Sequence, residues 1–188
     1  MFLFLVGPPG SGKSTLMRAF LGMRSGGELP LGSYLVPKPK WTVVQGDGVR
    51  VAAAGHYTGA TFDGADTVAY NGVAGCLAYW DAHLQQITTT RVDPLTVTIF
   101  DGDRFSHEKV AAWCKVRGRV LALHLGAPQD VLDARRAERG SKQNPSWMAG
   151  RVTKAARFAE TNAGAHLDGS QPVEALVGQL RAMLSSPA

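Results

Sequence analysis

A parallel sheet covered by helices on both faces, an α/β architecture, is the fold class this sequence predicts. Three observations predict it. Short apolar runs alternate with segments of helical period along most of the chain, and Phe2–Val6 is continuously apolar, as a strand buried on both faces should be. A glycine-rich turn directly follows that strand and opens an amphipathic segment. At 188 residues the chain is read as a single domain, 1–188, with a sizeable core.

The elements follow in order. After the strand, a helix is expected from about Lys13, with Leu16, Phe20 and Leu21 on its core side. Residues 22–40 are rich in Gly and Pro and are expected to be irregular. Trp41–Gln45 and Val49–Ala54 flank Gly46-Asp47-Gly48, a hairpin signal, so 22–48 is read as a loop and hairpin insertion. Val73, Leu77, Trp80, Leu84 and Ile87 then recur at helical spacing, with Asp66 standing where an N-cap would stand. Leu95–Phe100 is a second buried strand ending in Asp101-Gly102-Asp103-Arg104. A helix over 106–116, a strand over 119–125, helices over 132–139 and 147–163, a short strand at 166–168 and an amphipathic closing helix complete the pattern.

Composition narrows the function classes. A net charge of +5 and a pI near 9.5 point to an acidic partner such as a nucleotide or nucleic acid. Cys76 and Cys114 lie in apolar runs without metal-ligand spacing and are expected to be reduced thiols, which suits a cytoplasmic location. Met1–Val6 has no basic leader and no cleavage site after it, and no apolar run reaches membrane-spanning length, so no membrane partner is expected.

Residues 7–14 read Gly-Pro-Pro-Gly-Ser-Gly-Lys-Ser and satisfy G-x-x-x-x-G-K-[ST] in full. Gly7, Gly10 and Gly12 let the backbone curl so that successive N–H groups, with Pro9, Ser11 and Thr15 alongside, surround a phosphate. The helix beginning at Lys13 adds its positive N-terminal end. Lys13 is placed to reach the β- and γ-phosphates of ATP, and the Ser14 hydroxyl to ligate Mg²⁺. A GTPase would also carry D-x-x-G and N-K-x-D; no Asp here has Gly three residues later, and Asn71, Asn144 and Asn162 are not followed by Lys. The expectation is a P-loop NTPase fold of the nucleoside-monophosphate-kinase type, a parallel sheet of about five strands flanked by helices, with a short helical lid.

A kinase acting on an alcohol needs a carboxylate to take the acceptor proton and another near Mg²⁺. Asp101, at the end of a buried strand, is the candidate for the metal. Asp66 is the first candidate for the base and Asp63 the second, since both follow the strand 49–54 and ligands of open sheets bind beyond strand carboxyl ends. A purely capping role for Asp66 competes with this. His56, Asp103 and Arg104 are candidate substrate contacts.

Leu132-Asp133-Ala134-Arg135-Arg136-Ala137-Glu138-Arg139-Gly140 resembles the L-x-x-R-x-x-x-R-G stretch of bacteriophage polynucleotide kinases. That resemblance implies Arg135 against the adenine and Arg139 on the phosphates, roles a planar guanidinium suits and a lysine does not. Arg136 is expected to point elsewhere. Gly59-x-x-Phe62-x-Gly64-Ala65-Asp66 and the run from Arg139 through Asn144, Trp147, Gly150 and Arg151 to Lys154 are similar to phage kinases of DNA hypermodification. This second resemblance implies the hydroxymethyl group of 5-hydroxymethyluracil in DNA as acceptor. The chain departs from that pattern at Ala65, where a threonine is expected. Residues 135–157 form a basic arm, seven basic side chains against the single acid Glu138, a local charge of +6. Arg151 and Lys154 belong to a positive stripe that suits a lid over ATP or a track for a phosphate backbone. A free-nucleotide kinase and an ATP-binding module that contacts DNA are the alternatives.

Overall fold

The computed structural model describes residues 1–24, 27–46, 49–58, 63–85, 95–140 and 144–185. Seven strands form one sheet in the order β2-β3-β4-β5-β1-β6-β7. These are β1 (Phe2–Val6), β2 (Tyr34–Pro37), β3 (Lys40–Gly46), β4 (Val49–Ala54), β5 (Leu95–Asp101), β6 (Val120–Gly126) and β7 (Ala165–Asp168). The five strands β4-β5-β1-β6-β7 run parallel, as expected, while β2 and β3 add an antiparallel edge. Six α-helices are described: α1 (Lys13–Phe20), α2 (Val73–Tyr79), α3 (Glu108–Lys115), α4 (Gln129–Glu138), α5 (Pro145–Thr161) and α6 (Val173–Ser185).

The alternation of side chains along parallel strands divides the core in two. Leu3, Leu5, Val51, Ala53, Ile99 and Leu123 face one way, onto Leu16, Met17 and Phe20 of α1 and Leu176, Leu180 and Leu184 of α6. Phe2, Phe4, Ala52, Ala54, Phe100 and Ala122 face the other way, onto α2, α3 and α5 through Cys76, Val110, Cys114, Phe158 and Ala159. Phe4 is fully buried between Phe100 (ring centroids 5.4 Å apart) and Phe158 (5.1 Å), so truncating it to alanine would cost about 3–5 kcal/mol. Both cysteines are buried free thiols.

Three expectations are corrected. The stretch 22–40 is not irregular throughout: β2 lies inside it and pairs antiparallel with β3, Val36 opposite Trp41. Pro37 ends this strand at the sheet edge, where its missing N–H costs no ladder bond. The long helix does not start at Asp66. Ala65–Thr67 and Tyr70–Gly72 are single 3₁₀ turns, and α-helix begins at Val73. The helix then widens to π geometry over Trp80–Leu84, where Trp80 Nε1 donates to Thr98 Oγ1 at 2.7 Å. Helix α5 starts earlier than the apolar pattern indicates, because Asn144 caps it, accepting from Ser146 N at 2.9 Å, and Pro145 occupies the first turn. Asp47, Gly48, Gly59, Phe62, Ile87 and Lys142 lie outside the described residues.

From β1 the chain crosses to β4 and β5 on one side and later to β6 and β7 on the other. The crevice beyond the carboxyl end of β1 is therefore the switch point where open sheets bind ligands.

Candidate active site

The loop after β1 is shaped by backbone crowding. A side chain at Gly7 would bring a Cβ within 2.2 Å of the Leu125 carbonyl, so no other residue fits. Lys13 folds back over the loop and donates to the carbonyls of Gly7 (2.8 Å) and Pro8 (3.0 Å). Burial lowers its pKa to about 8 against the opposing pull of Asp101 and Asp66. Ser11 is buried and its hydroxyl has no hydrogen-bond partner among the described residues, an unused donor within the loop.

Asp101 ends β5 as a buried carboxylate. Its Oδ1 accepts from the Ala65 N–H at 2.8 Å, and the Tyr57 hydroxyl lies beside it. Burial raises its pKa to about 6, even though the Ala65 N–H, Tyr57 and Lys13 all favour the charged form. The same burial and the Asp101 charge raise the Tyr57 phenol well above its ordinary range. Gly64 makes this junction possible. A Cβ there would stand 2.7 Å from both Asp101 Oδ2 and the Tyr57 oxygen, and the residue has a φ of +60°.

A cavity of about 370 Å³ opens at this point. Gly7, Pro9, Gly10, Gly12, Lys13 and Ser14 line its phosphate-loop side. Asp66, Tyr70, Asp101, Asp103 and Arg104 line another part, and Arg136, Arg139, Trp147, Arg151 and Lys154 come from α4, its C-terminal end and α5. The Arg104 Nε is 3.5 Å from Asp66 Oδ1, and the guanidinium lies 4.4 Å above the Tyr70 ring. Arg151 pairs with Asp103 and lies 4.6 Å above the Trp147 ring. Asp66 caps no helix, and its charge is felt at both Lys13 and Asp101. A glycine-turned phosphate loop, a half-buried cation and a buried acid on one crevice are the parts of a phosphoryl-transfer site.

The sequence model of the P-loop Nucleotide Kinase3 family matches residues 1–186. The chain belongs to that family. It is a P-loop phosphotransferase, a kinase that uses a nucleotide. No curated protein matches it in sequence. Among solved structures, the YorR protein from Bacillus subtilis in complex with phosphorylated GDP is similar in fold, with a TM-score of 0.53 and 12% identity over 97% of this chain and 95% of that one. A sugar kinase from Janibacter sp., unliganded, is similar with a TM-score of 0.50 and 15% identity over 96% of this chain and 92% of that one. These likenesses bear on the fold. Among the described residues no helix is long and apolar enough to cross a membrane.

In this kinase the anticipated residues divide. Asp66, Asp101, Asp103, Arg104, Arg139, Arg151 and Lys154 meet on the cavity with the phosphate loop, while Thr15 is exposed and is not part of the lining. Asp63 does not reach the cavity. It is buried and spent on structure, accepting from the Thr58 N–H at 2.8 Å and pairing with Arg18 Nε at 2.9 Å. His56 is likewise committed, its Nε2 2.7 Å from the Val36 carbonyl and its N–H donating to Thr67 Oγ1. Arg135 lies against the phosphate loop, donating to the carbonyls of Gly169 (3.0 Å) and Gly10 (3.4 Å).

The expectation for Arg136 is overturned. Its Nη1 is 3.4 Å from the Pro9 carbonyl, and with Arg139 three positions on it lines the cavity. Helical spacing makes Arg136 and Arg139, three apart, as valid a same-face pair as Arg135 and Arg139, four apart. Sequence reading also missed Tyr57, Tyr70 and Gly169, none of which stands in a motif. A Cβ on Gly169 would come within 2.5 Å of the Ser11 carbonyl, which is why the turn after β7 can close on the phosphate loop.

Proposed function

We propose that this kinase transfers the γ-phosphate of ATP to a hydroxyl borne by a nucleobase or nucleotide, and that its acceptor is 5-hydroxymethyluracil within DNA. The observation that carries the reading is the position of Asp66. It is an accessible carboxylate that serves no helix cap, lines the same cavity as Lys13 and Asp101, and stands beside Arg104 and Tyr70. The phosphate-loop amides and Lys13 hold the β- and γ-phosphates, and Lys13 leaves the Gly7 and Pro8 carbonyls to do so. Arg136 and Arg139 meet the charge that spreads over the transferring group. The acceptor hydroxyl gives its proton to Asp66 as its oxygen bonds to the γ-phosphorus, and the bond to the β–γ bridging oxygen breaks, releasing ADP.

The residues present fit Mg²⁺. Ser14 and Asp101 would hold it, and a cation beside the buried Asp101 would relieve the desolvation that now raises its pKa. Mg²⁺ takes most of its shell from phosphates and water, so two protein ligands suffice. When bound, Mg²⁺ supplies neutralisation of the β- and γ-phosphate charge.

The +6 arm and the stripe Arg151–Lys154 on the cavity wall support a DNA acceptor, because a backbone needs more cations than a single nucleotide does. The test is label transfer from γ-labelled ATP to a panel of acceptors: DNA containing 5-hydroxymethyluracil, unmodified DNA, and the free 5-hydroxymethyl nucleotide. Transfer to the modified DNA above the other two supports the reading. Preference for the free nucleotide supports a nucleotide kinase instead, and ATP binding without transfer to any acceptor supports a regulatory module.

A further inference from the structure

We propose that Tyr70 and Trp147 form stacking walls for the acceptor and receive a single nucleobase drawn out of its helix. The proposal rests on the reading of a base-borne hydroxyl as acceptor. Most large aromatic side chains of the described residues are packed into the core, yet Tyr70 is 66% exposed and Trp147 42% exposed, and both line the catalytic cavity. An aromatic ring left in water at the edge of a polar cavity has its hydrophobic area still to bury, and a base offers a flat face of matching size.

Each ring is already covered on one face by a guanidinium, Arg104 at 4.4 Å on Tyr70 and Arg151 at 4.6 Å on Trp147. The cation–π contact fixes the ring and leaves its other face for a base. Arg104 also reaches Asp66, and Arg151 pairs with Asp103, the residue before Arg104. Two consecutive residues after β5 therefore tether both aromatic rings to the neighbourhood of the proposed base. A nucleobase paired in a duplex shows only its edges in the grooves and keeps its faces for its neighbours. Stacking on these rings requires the faces, and the cavity of about 370 Å³ has room for a base and phosphate groups rather than for a duplex. Extrusion costs least where the base is mispaired or already single-stranded.

The experiment compares kcat/KM on 5-hydroxymethyluracil in a single strand, in a matched duplex and in a duplex where it stands opposite a mispaired base, with the free nucleotide as a fourth arm. The single strand and the mispaired duplex are expected to exceed the matched duplex by about tenfold or more. Tyr70→Ala and Trp147→Ala should each lower kcat/KM for the acceptor by about tenfold or more, with KM for ATP moving less than about twofold. Tyr70→Phe and Trp147→Phe keep a stacking face and should retain most activity. Equal turnover of matched duplex and single strand, or alanine variants with unchanged kcat/KM, overturns the proposal. Phosphorylation of the free nucleotide with every DNA form inert defeats the DNA acceptor and extrusion from a helix together; the two walls then stand or fall on the same alanine variants assayed with that nucleotide.

Discussion

In the phosphate-binding loop, residues 7 to 15, neighbours in sequence do the work: glycine turns, successive amides and a lysine that folds back on its own loop. In residues 63 to 66, after β4, the contacts run to partners far away in the chain. Ala65 meets Asp101 across 36 positions, Asp63 meets Arg18 on α1, and Asp66 meets Arg104. A local motif announces the first region completely. The second can be understood only once β4, β5 and α1 are packed together. Two carboxylates three residues apart there have different surroundings, Asp63 buried on Arg18 and the Thr58 amide and Asp66 exposed on the cavity.

The largest effect is expected from the first region. Lys13→Ala should lower kcat by about 10²-fold or more, since the lysine stabilises charge on the transferring phosphate. The variant should remain folded, because the side chain removed is half-buried and, among the described residues, bonds only to the carbonyls of its own loop. A variant with near-normal turnover would break the phosphate-loop half of the comparison.

In the second region Asp66→Asn should lower kcat by about 10²-fold or more while leaving KM for ATP and the melting temperature unchanged, as expected of a base that caps no helix. Asp63→Asn should do the reverse. It weakens the pair with half-exposed Arg18, costing about 1 kcal/mol, and leaves kcat within a few-fold of wild type. Matching kinetic losses from both substitutions would erase the distinction between the two carboxylates.

What could be read from the sequence follows the same division. The parallel sheet, the phosphate loop, Asp101 at its strand end and the basic arm are all coded locally, in apolar runs, glycine spacing and charge. Asp66 was legible as a candidate, but Asp63 was not separable from it, because nothing in a sequence shows that Arg18 and the Thr58 amide have claimed one carboxylate. Tyr57 and Tyr70 were invisible for a related reason: a tyrosine in a loop signals nothing until its ring is seen beside Asp101 or beneath Arg104. Arg136 is not placed by its spacing, because a helix allows two faces and only packing against Pro9 chooses between them.

A smaller effect sharpens that last point. Arg136→Lys and Arg139→Lys should each lower kcat/KM by about tenfold, since both side chains line the cavity and a lysine cannot make a forked phosphate contact. Loss from Arg139→Lys alone would return Arg136 to a supporting role on the loop.

The smallest effect concerns stability against pH. The folded-state pKa of Asp101 is raised from the ordinary 3.8 to about 6, so the folded protein holds that proton more tightly than the unfolded chain. Stability therefore falls as pH rises from about 4 to about 6, and the cost of the buried charge is complete above that window. Asp101→Asn retains an acceptor for the Ala65 N–H and removes the charge. Melting temperatures of the unliganded wild type and variant should coincide near pH 4 and separate above pH 6 with the variant higher, even though its activity is lost.

The most direct test of the account is the salt dependence of KM for DNA containing 5-hydroxymethyluracil, measured beside KM for the free 5-hydroxymethyl nucleotide. If the basic arm tracks a DNA backbone, KM for duplex DNA should rise by about 0.9 decade per decade of salt for each phosphate neutralised, and by about 0.7 for a single strand. KM for the free nucleotide should move far less, and the DNA should be turned over more efficiently at low salt. A KM for DNA that stays flat with salt, together with better turnover of the free nucleotide, would contradict the DNA acceptor.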